Sequence, residues 1–150
     1  MIVKKFVPCI YLYRGHAVRR LTDCTIMETD PLRLVNMYNA NNADALIVFD
    51  MSKGDQEREE ALDIIKEICA AAEMDVYGAG NINRMEDVKK LLYAGCRKAV
   101  LDYTKESNIA ITEEVALKFG KNKLLASYEN ANVIAAHQAL LEQSFSALLL

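Results

Sequence analysis

The residue with the clearest potential for chemistry is Asp50, which lies in an almost wholly apolar run at residues 45–51. Such a run predicts a strand covered on both faces, and its terminal acid then points into the mouth of the sheet. A carboxylate there can act as a ligand or catalytic group, or it can cap the following loop. In a receiver-like signalling module, Asp50 would accept a phosphoryl group. However, the first strand ends in Cys9, Ile10 and Tyr11, without the acidic pair that phosphorelay needs.

The remaining local motifs favour no metal or nucleotide chemistry. Gly78 and Gly80 make a poor dinucleotide signal, because the third glycine of the pattern falls on Asn83. Two histidines and four cysteines without close spacing predict no metal site, and nothing calls for a cofactor. Each cysteine lies in or beside an apolar run, which predicts buried, reduced thiols.

These residues are positioned by an alternation of apolar runs and amphipathic stretches. Helix starts and stops are marked by Asp30-Pro31, by Gly95 and by Gly120. The predicted strands cover residues 2–12, 45–51, 75–78, 98–103, 123–128 and 146–150, and residues 17–21 return as a short extended arm. The predicted helices cover residues 31–41, 56–73, 84–94, 109–119 and 130–143.

Strands that alternate with helices predict a single α/β domain over residues 1–150, built from parallel βα units. Two architectures fit this order. One is a flavodoxin-like open sheet of five to six strands, and the other is part of an eight-stranded (βα) barrel, which typically needs ~250 residues. The apolar end at residues 146–150 leads us to expect an N-terminal portion of a longer polypeptide.

Composition excludes several classes of protein. The net charge of −3 argues against a nucleic-acid partner, because such domains usually carry a basic face. No run approaches the ~20 apolar residues of a membrane span, and the N-terminus lacks the pattern of a signal peptide. Together with the absence of a disulfide framework, these features predict a cytoplasmic location.

Several segments, taken in order, resemble one family. They are residues 8–19 (Pro-Cys-Ile-Tyr-Leu-Tyr-Arg-Gly-His-Ala-Val-Arg), 29–31 (Thr-Asp-Pro), 42–50 (Asn-Ala-Asp-Ala-Leu-Ile-Val-Phe-Asp), 78–82 (Gly-Ala-Gly-Asn-Ile) and 90–98. Over residues 3–129 the chain is similar to the first part of the histidine-biosynthesis (βα)-barrel enzymes. That family includes the cyclase subunit of imidazole glycerol phosphate synthase and the ribotide isomerase.

The resemblance implies an altered catalytic pair. In the family, aspartates that end the first and fifth strands act as general acid and base across a phosphoribosyl ligand. Here the first position falls on Tyr11 and the second on Glu129. A phenol with a pKa of about 10 is a poor base at neutral pH, and a carboxylate displaced by one methylene can cost ~10²-fold in rate.

The resemblance also implies a phosphate site at the ends of the third and fourth strands. Gly78 and Gly80 would allow close backbone approach, and Thr104 would offer a hydroxyl. Asn81 stands where the family tends to have another glycine. Arg19 falls where the family has a basic residue in a loop over the site, although a solvated surface charge is the simpler interpretation.

Three hypotheses follow. The first is a barrel-derived domain that is catalytically silent or weak and serves phosphoribosyl binding, assembly or regulation. The second is an active isomerase or cyclase completed by further C-terminal sequence or by a partner chain. The third is the receiver-like module. An incomplete barrel exposes a sheet edge and an apolar inner face, which predicts a homodimer, another covering domain or a flavodoxin-like rearrangement.

Overall fold

The computed structural model describes residues 5–129, 132, 136–145 and 147–149. A β-hairpin arm opens the chain, with β1 (Cys9–Tyr13), β2 (His16–Arg20) and β3 (Asp23–Glu28). Helices and strands then alternate: α1 (Pro31–Ala40), β4 (Ala45–Asp50), α2 (Gly54–Ala71), β5 (Asp75–Ala79), α3 (Met85–Ala94), β6 (Lys98–Asp102), α4 (Glu106–Phe119), a 3₁₀ turn (Lys121–Lys123), β7 (Leu124–Ser127), α5 (Gln138–Ser144) and β8 (Ala147–Leu149).

The described strands form one open sheet in the order β3-β2-β1-β4-β5-β6-β7-β8. Within the arm, β2 pairs antiparallel with β1 and with β3. The other strands, β1 and β4 to β8, pair parallel in chain order. A doubly wound sheet reverses its strand order at a switch point, and this sheet does not. The flavodoxin-like alternative is therefore wrong, whereas the α/β partial barrel is confirmed.

The helices cover one face of this sheet. Along β4, Leu46 and Val48 are fully buried against the helices, while Ile47 and Phe49 face the other side. The helix side forms a large core that includes Val35, Ile65 and Leu91. The opposite side, which we call the concave face, carries the smaller cluster of Ile47, Ala79, Val100 and Leu125, with Val7, Cys9, Phe49 and Tyr77 packed against it.

Local signals explain the element ends. The Asp30 side chain accepts a hydrogen bond from the Leu32 amide at 3.1 Å, which caps α1 as predicted. Gly95 ends α3 with φ of 116°, a conformation that favours glycine. The structure begins β1 at Cys9, although the Ile47 amide still donates to the Pro8 carbonyl at 3.0 Å.

The predicted and observed elements differ in the arm and at the C-terminal end of the chain. The extended arm at 17–21 corresponds to β2, but β3 was missed because most of its side chains are exposed and give no alternating pattern. The predicted helix at 130–143 and strand at 146–150 begin outside the described residues. Their described parts are α5 and β8. Within the described ranges, no helix has the length and apolarity that a membrane crossing requires.

Candidate functional site

The carboxyl ends of β4 to β7 meet at one edge of the sheet and enclose an open cleft of about 520 Å³. Parallel α/β sheets commonly place ligand sites at this edge. Its apolar wall comes from Leu21, Phe49, Ala79 and Val100. Its polar groups come chiefly from the ends of β6 and β7, from the segments that follow β5 to β7, and from the first turn of α4: Asn81, Asp102, Thr104, Lys105, Asn108, Ser127 and Glu129.

Asp50 and Asn81 both bind the short loop that follows β4. Asp50 is 4% exposed, and its carboxylate accepts the Ser52 amide at 2.8 Å. The Asn81 side-chain amide donates to the Ser52 carbonyl at 2.9 Å and to its hydroxyl at 3.1 Å. Both residues line the cleft, yet these hydrogen bonds give them a clear role in holding the loop.

The two predicted glycines have different surroundings. Gly80 lines the cleft with φ of +85°, and a Cβ added there would lie 2.3 Å from the Asp50 carbonyl oxygen. This glycine therefore allows the β5 end to approach the β4 backbone. Gly78 lies outside the cleft lining, and its added Cβ would meet Leu91 at 2.9 Å and the Cys96 sulfur at 3.0 Å. Its small size serves the packing of α3.

Thr104 and Lys105 stand where β6 leads into α4. The Thr104 amide and hydroxyl both donate to one Asp102 carboxylate oxygen, at 2.9 and 2.7 Å. Lys105 is the N-cap residue of α4, and among the described residues no side-chain hydrogen bond caps this helix start. The positive end of the helix dipole and the Lys105 side chain therefore lie beside the cleft.

Asn108 is a site residue that the sequence reasoning missed. It is 1% exposed in the first turns of α4, lines the cleft and accepts the Asp102 amide at 2.9 Å. Its side-chain amide donates to the Ile82 carbonyl at 2.7 Å. Asn108 thus joins the loops after β5 and β6. An asparagine within a helix pattern is the one local signal, because it is a poor helix former.

Tyr11 and Glu129, where the resemblance led us to expect altered catalytic residues, are in unlike environments. The Tyr11 ring stacks on Phe49, with centroids 5.0 Å apart, and Phe49 rather than Tyr11 lines the cleft. Burial and the neighbouring Cys9 thiol raise the pKa of Tyr11, so the phenol stays neutral near pH 7. Glu129 is exposed and lines the cleft just beyond β7.

Arg19 lies on the β2 arm outside the cleft lining. Its Nε atom is 3.9 Å from the Asp23 carboxylate, and the side chain is 58% exposed. The same arm contributes Leu21 to the cleft. Among the described residues, no three histidine, cysteine, aspartate or glutamate side chains are grouped to hold a metal ion.

Comparison with known proteins identifies related chains. The histidine biosynthesis protein family model matches residues 5–147. Among curated proteins, the chain is 28% identical over 135 residues to imidazole glycerol phosphate synthase subunit HisF of Parabacteroides distasonis, covering 87% of this chain and 54% of that protein. The HisF subunit of Azobacteroides pseudotrichonymphae is 27% identical, over 80% of this chain and 48% of that protein. The HisF subunit of Halalkalibacterium halodurans is 25% identical, over 86% of this chain and 52% of that protein.

The chain therefore spans about half the length of the curated relatives it matches. The matched region includes every described strand from β1 to β7, the described residues that line the cleft, and Tyr11 and Glu129. On the breadth of this match, the chain belongs to the histidine biosynthesis protein family.

Proposed function

We propose that this chain is a catalytically silent or weak barrel segment that binds a phosphoribosyl ligand in the cleft at the ends of β4 to β7. The observation that carries the proposal is the pairing of Lys105 and Thr104 with the uncapped first turn of α4 on the cleft wall. A helix N-terminus and an ammonium group are common partners of a phosphate, and the Thr104 hydroxyl would join them by exchanging its hydrogen bond to Asp102 for one to the phosphate.

Charge balance makes the expected affinity modest. Glu129 and Asp102 bring negative charge to the same cleft, which opposes phosphate binding. Two hydrogen bonds from Thr104 partly compensate the Asp102 carboxylate. The apolar wall around Phe49 and Val100 suits the carbon face of a ribose or a small heterocycle.

The weak or absent catalysis follows from Tyr11. General acid–base catalysis contributes ~10²–10⁴-fold and needs a group whose pKa lies near the working pH. A neutral phenol stacked on Phe49 does not meet that requirement. Glu129 could exchange a proton, but a single carboxylate leaves the second proton transfer without a partner.

The test is a titration of the purified chain with ribose 5-phosphate and with inorganic phosphate, followed by amide chemical shifts. We expect saturable shifts at Thr104, Lys105 and the start of α4, with millimolar affinity. Turnover of the substrate of imidazole glycerol phosphate synthase should fall at least ~10²-fold below that of a full-length relative. Absence of saturable shifts would refute the binding site, and full turnover would refute the silent chemistry.

A second candidate is an active enzyme that further sequence or a partner chain completes. Two observations favour it: the chain covers 54% of a full-length relative, and Glu129 lines the cleft. Co-expression with the C-terminal half of that HisF subunit tests it. Recovered turnover that disappears in Glu129→Gln would favour this candidate, whereas an inactive complex would favour the silent domain.

The receiver-like hypothesis has lost its support. The sheet lacks the strand order of a receiver, and Asp50 is nearly inaccessible and bound to the Ser52 amide. Acetyl phosphate should therefore leave Asp50 unlabelled.

The concave face supports an assembly role beside ligand binding. It carries Val7, Cys9, Phe49 and Tyr77 as partly buried groups, and no described helix covers it. We propose that a second copy of this chain or the remainder of a longer barrel packs there. Light scattering that finds a stable monomer, together with no binding of an apolar dye, would exclude the homodimer.

A further inference from the structure

Two cysteines that lie far apart in the sequence are in contact on the helix side of the sheet. Cys69 belongs to the last turn of α2, and Cys96 lies in the turn between α3 and β6. Their sulfur atoms are 3.9 Å apart, although 27 positions separate them in the chain. Cys9 lies on the concave face and Cys24 is exposed on β3, so the prediction of buried thiols is wrong for Cys24.

The surrounding backbone holds this contact in place. Gly95 has φ of +116°, and a Cβ added to it would lie 2.8 Å from the Cys69 Cβ, so the turn sits directly against α2. The Cys96 amide donates to the Leu91 carbonyl at 3.1 Å, which fixes the turn to α3. On its other side, the Cys96 sulfur lies 3.0 Å from the position of a Cβ at Gly78. Cys96 is therefore enclosed by β5, α3 and α2.

We propose that Cys69 and Cys96 form a reversible intramolecular disulfide that links α2 to the start of β6. The bond needs the sulfurs to approach from 3.9 Å to about 2.05 Å, and the partly exposed Cys69 is the side chain that would move to close this gap. Neither cysteine lines the cleft, so the link would act on the stability of the helix layer and leave the cleft open.

The two thiols have unequal roles in this chemistry. The hydrogen bond between the two thiols lowers the pKa of Cys69, whereas the same contact, together with burial, raises the pKa of Cys96. Cys69 is also the more accessible of the two. Cys69 is therefore the attacking group, and Cys96 resolves the intermediate.

The oxidant is a low-molecular-weight disulfide such as oxidised glutathione. The Cys69 thiolate attacks one of its sulfurs, forms a mixed disulfide and releases one glutathione thiolate. Cys96 then gives up its proton, attacks the Cys69 sulfur and releases the second glutathione. Two protein thiols are oxidised, one glutathione disulfide is reduced to two thiols, and both protons pass to the buffer or to the released thiolates.

The test uses the full chain carrying Cys24→Ser, which removes the exposed thiol and with it a route to intermolecular disulfides. After equilibration in oxidised glutathione, we expect two of the three remaining thiols to be lost, and peptide mapping should join Cys69 to Cys96. The urea midpoint should rise on oxidation and return after reduction, because the link closes a loop in the unfolded chain.

Two further variants make the assignment specific. In Cys24→Ser with Cys96→Ala, the mixed disulfide cannot be resolved, so one glutathione should remain on Cys69. In Cys24→Ser with Cys9→Ser, the disulfide should form as before. Retention of all three thiols, or a mapped disulfide that includes Cys9, would overturn the proposal. The thiol count and the peptide map are both made on variants that keep Cys69 and Cys96. They therefore do not depend on whether the Cys96→Ala variant folds.

Discussion

Tyr11 and Phe49 form a stacked aromatic pair on the concave face, with ring centroids 5.0 Å apart and planes inclined by 26°. Their strands pair in parallel with Tyr11 directly opposite Phe49. The family resemblance implies an acid at the first of these positions. In this chain Tyr11, in the middle of β1, therefore contributes packing, and burial raises the pKa of its phenol.

We expect Tyr11→Asp to destabilise the fold without creating an enzyme. The substitution removes an aromatic stack and puts a carboxylate in a partly buried site, for a loss of about 1–3 kcal/mol in the free energy of unfolding. Tyr11→Phe is the matched control, and it should stay within about 0.5 kcal/mol. Urea unfolding and a turnover assay are the measurements. Wild-type stability together with new turnover in Tyr11→Asp would contradict the packing role.

Asp87 should be among the most sensitive charged residues in the described structure. Its carboxylate contacts the Arg58 guanidinium at 3.0 Å and accepts the amides of Asn83 and Arg84 at the start of α3. Asp87→Ala leaves a largely buried guanidinium without its partner, and we expect a loss of about 3 kcal/mol. The control is Glu59→Ala, which breaks an exposed ion pair with Lys90 and should cost under ~1 kcal/mol. Equal losses in urea unfolding would show that burial of the Asp87 pair is unimportant.

Gly80 and Gly120 have similar φ values, so alanine substitutions at the two positions separate the effect of a steric clash from that of backbone strain. Their φ values are +85° and +87°, but a Cβ at Gly80 meets the Asp50 carbonyl, whereas a Cβ at Gly120 meets no described residue within 4 Å apart from its chain neighbours. Gly120→Ala should cost about 1–3 kcal/mol from backbone strain alone, because φ of 87° and ψ of 150° lie in a region that is almost restricted to glycine. Gly80→Ala adds a steric clash with β4, so we expect a clearly larger loss and altered amide shifts around the cleft. Similar thermal midpoints for the two variants would argue against a tight approach of β5 to β4.

The sequence predicted the elements well because their signals are local. Asp30-Pro31 and Gly95 mark helix ends through their own backbone and side-chain chemistry. The site was harder to predict, because its contacts join distant segments. The Asn108 side chain donates a hydrogen bond to the Ile82 carbonyl, 26 positions away in the chain, and no sequence spacing predicts that contact. The role of Gly78 could not be predicted either, because it depends on contact with Leu91, which lies 13 positions further along the chain.

Lys105→Ala should weaken phosphate binding in the cleft. Lys105 is the N-cap residue of α4 and lines the cleft, and an exposed charge contact to a phosphate contributes about 1 kcal/mol, or roughly fivefold in affinity. Lys121→Ala removes the same charge from the 3₁₀ turn before β7, at the opposite edge of the sheet. Phosphate titrations followed by amide shifts compare the two. An equal loss of affinity in both variants would point to a general effect of net charge.

Stability should also fall at alkaline pH, and Tyr103 should account for part of the loss. Tyr103 is 3% exposed, and its hydroxyl lies 2.7 Å from that of Thr112. Burial raises its pKa above the usual 10, so its contribution is complete below pH 10 and is lost as the pH rises through the folded-state value.

One such tyrosine adds a slope of up to about 1.4 kcal/mol per pH unit in that window. Tyr103→Phe should cost about 1 kcal/mol at pH 7, because the hydrogen bond to Thr112 is lost. Its stability should then decline less steeply than that of the wild type between pH 10 and 11. Urea unfolding across this range measures both slopes. Parallel curves would mean that Tyr103 does not change its protonation on unfolding, which would contradict its burial in a protonated state.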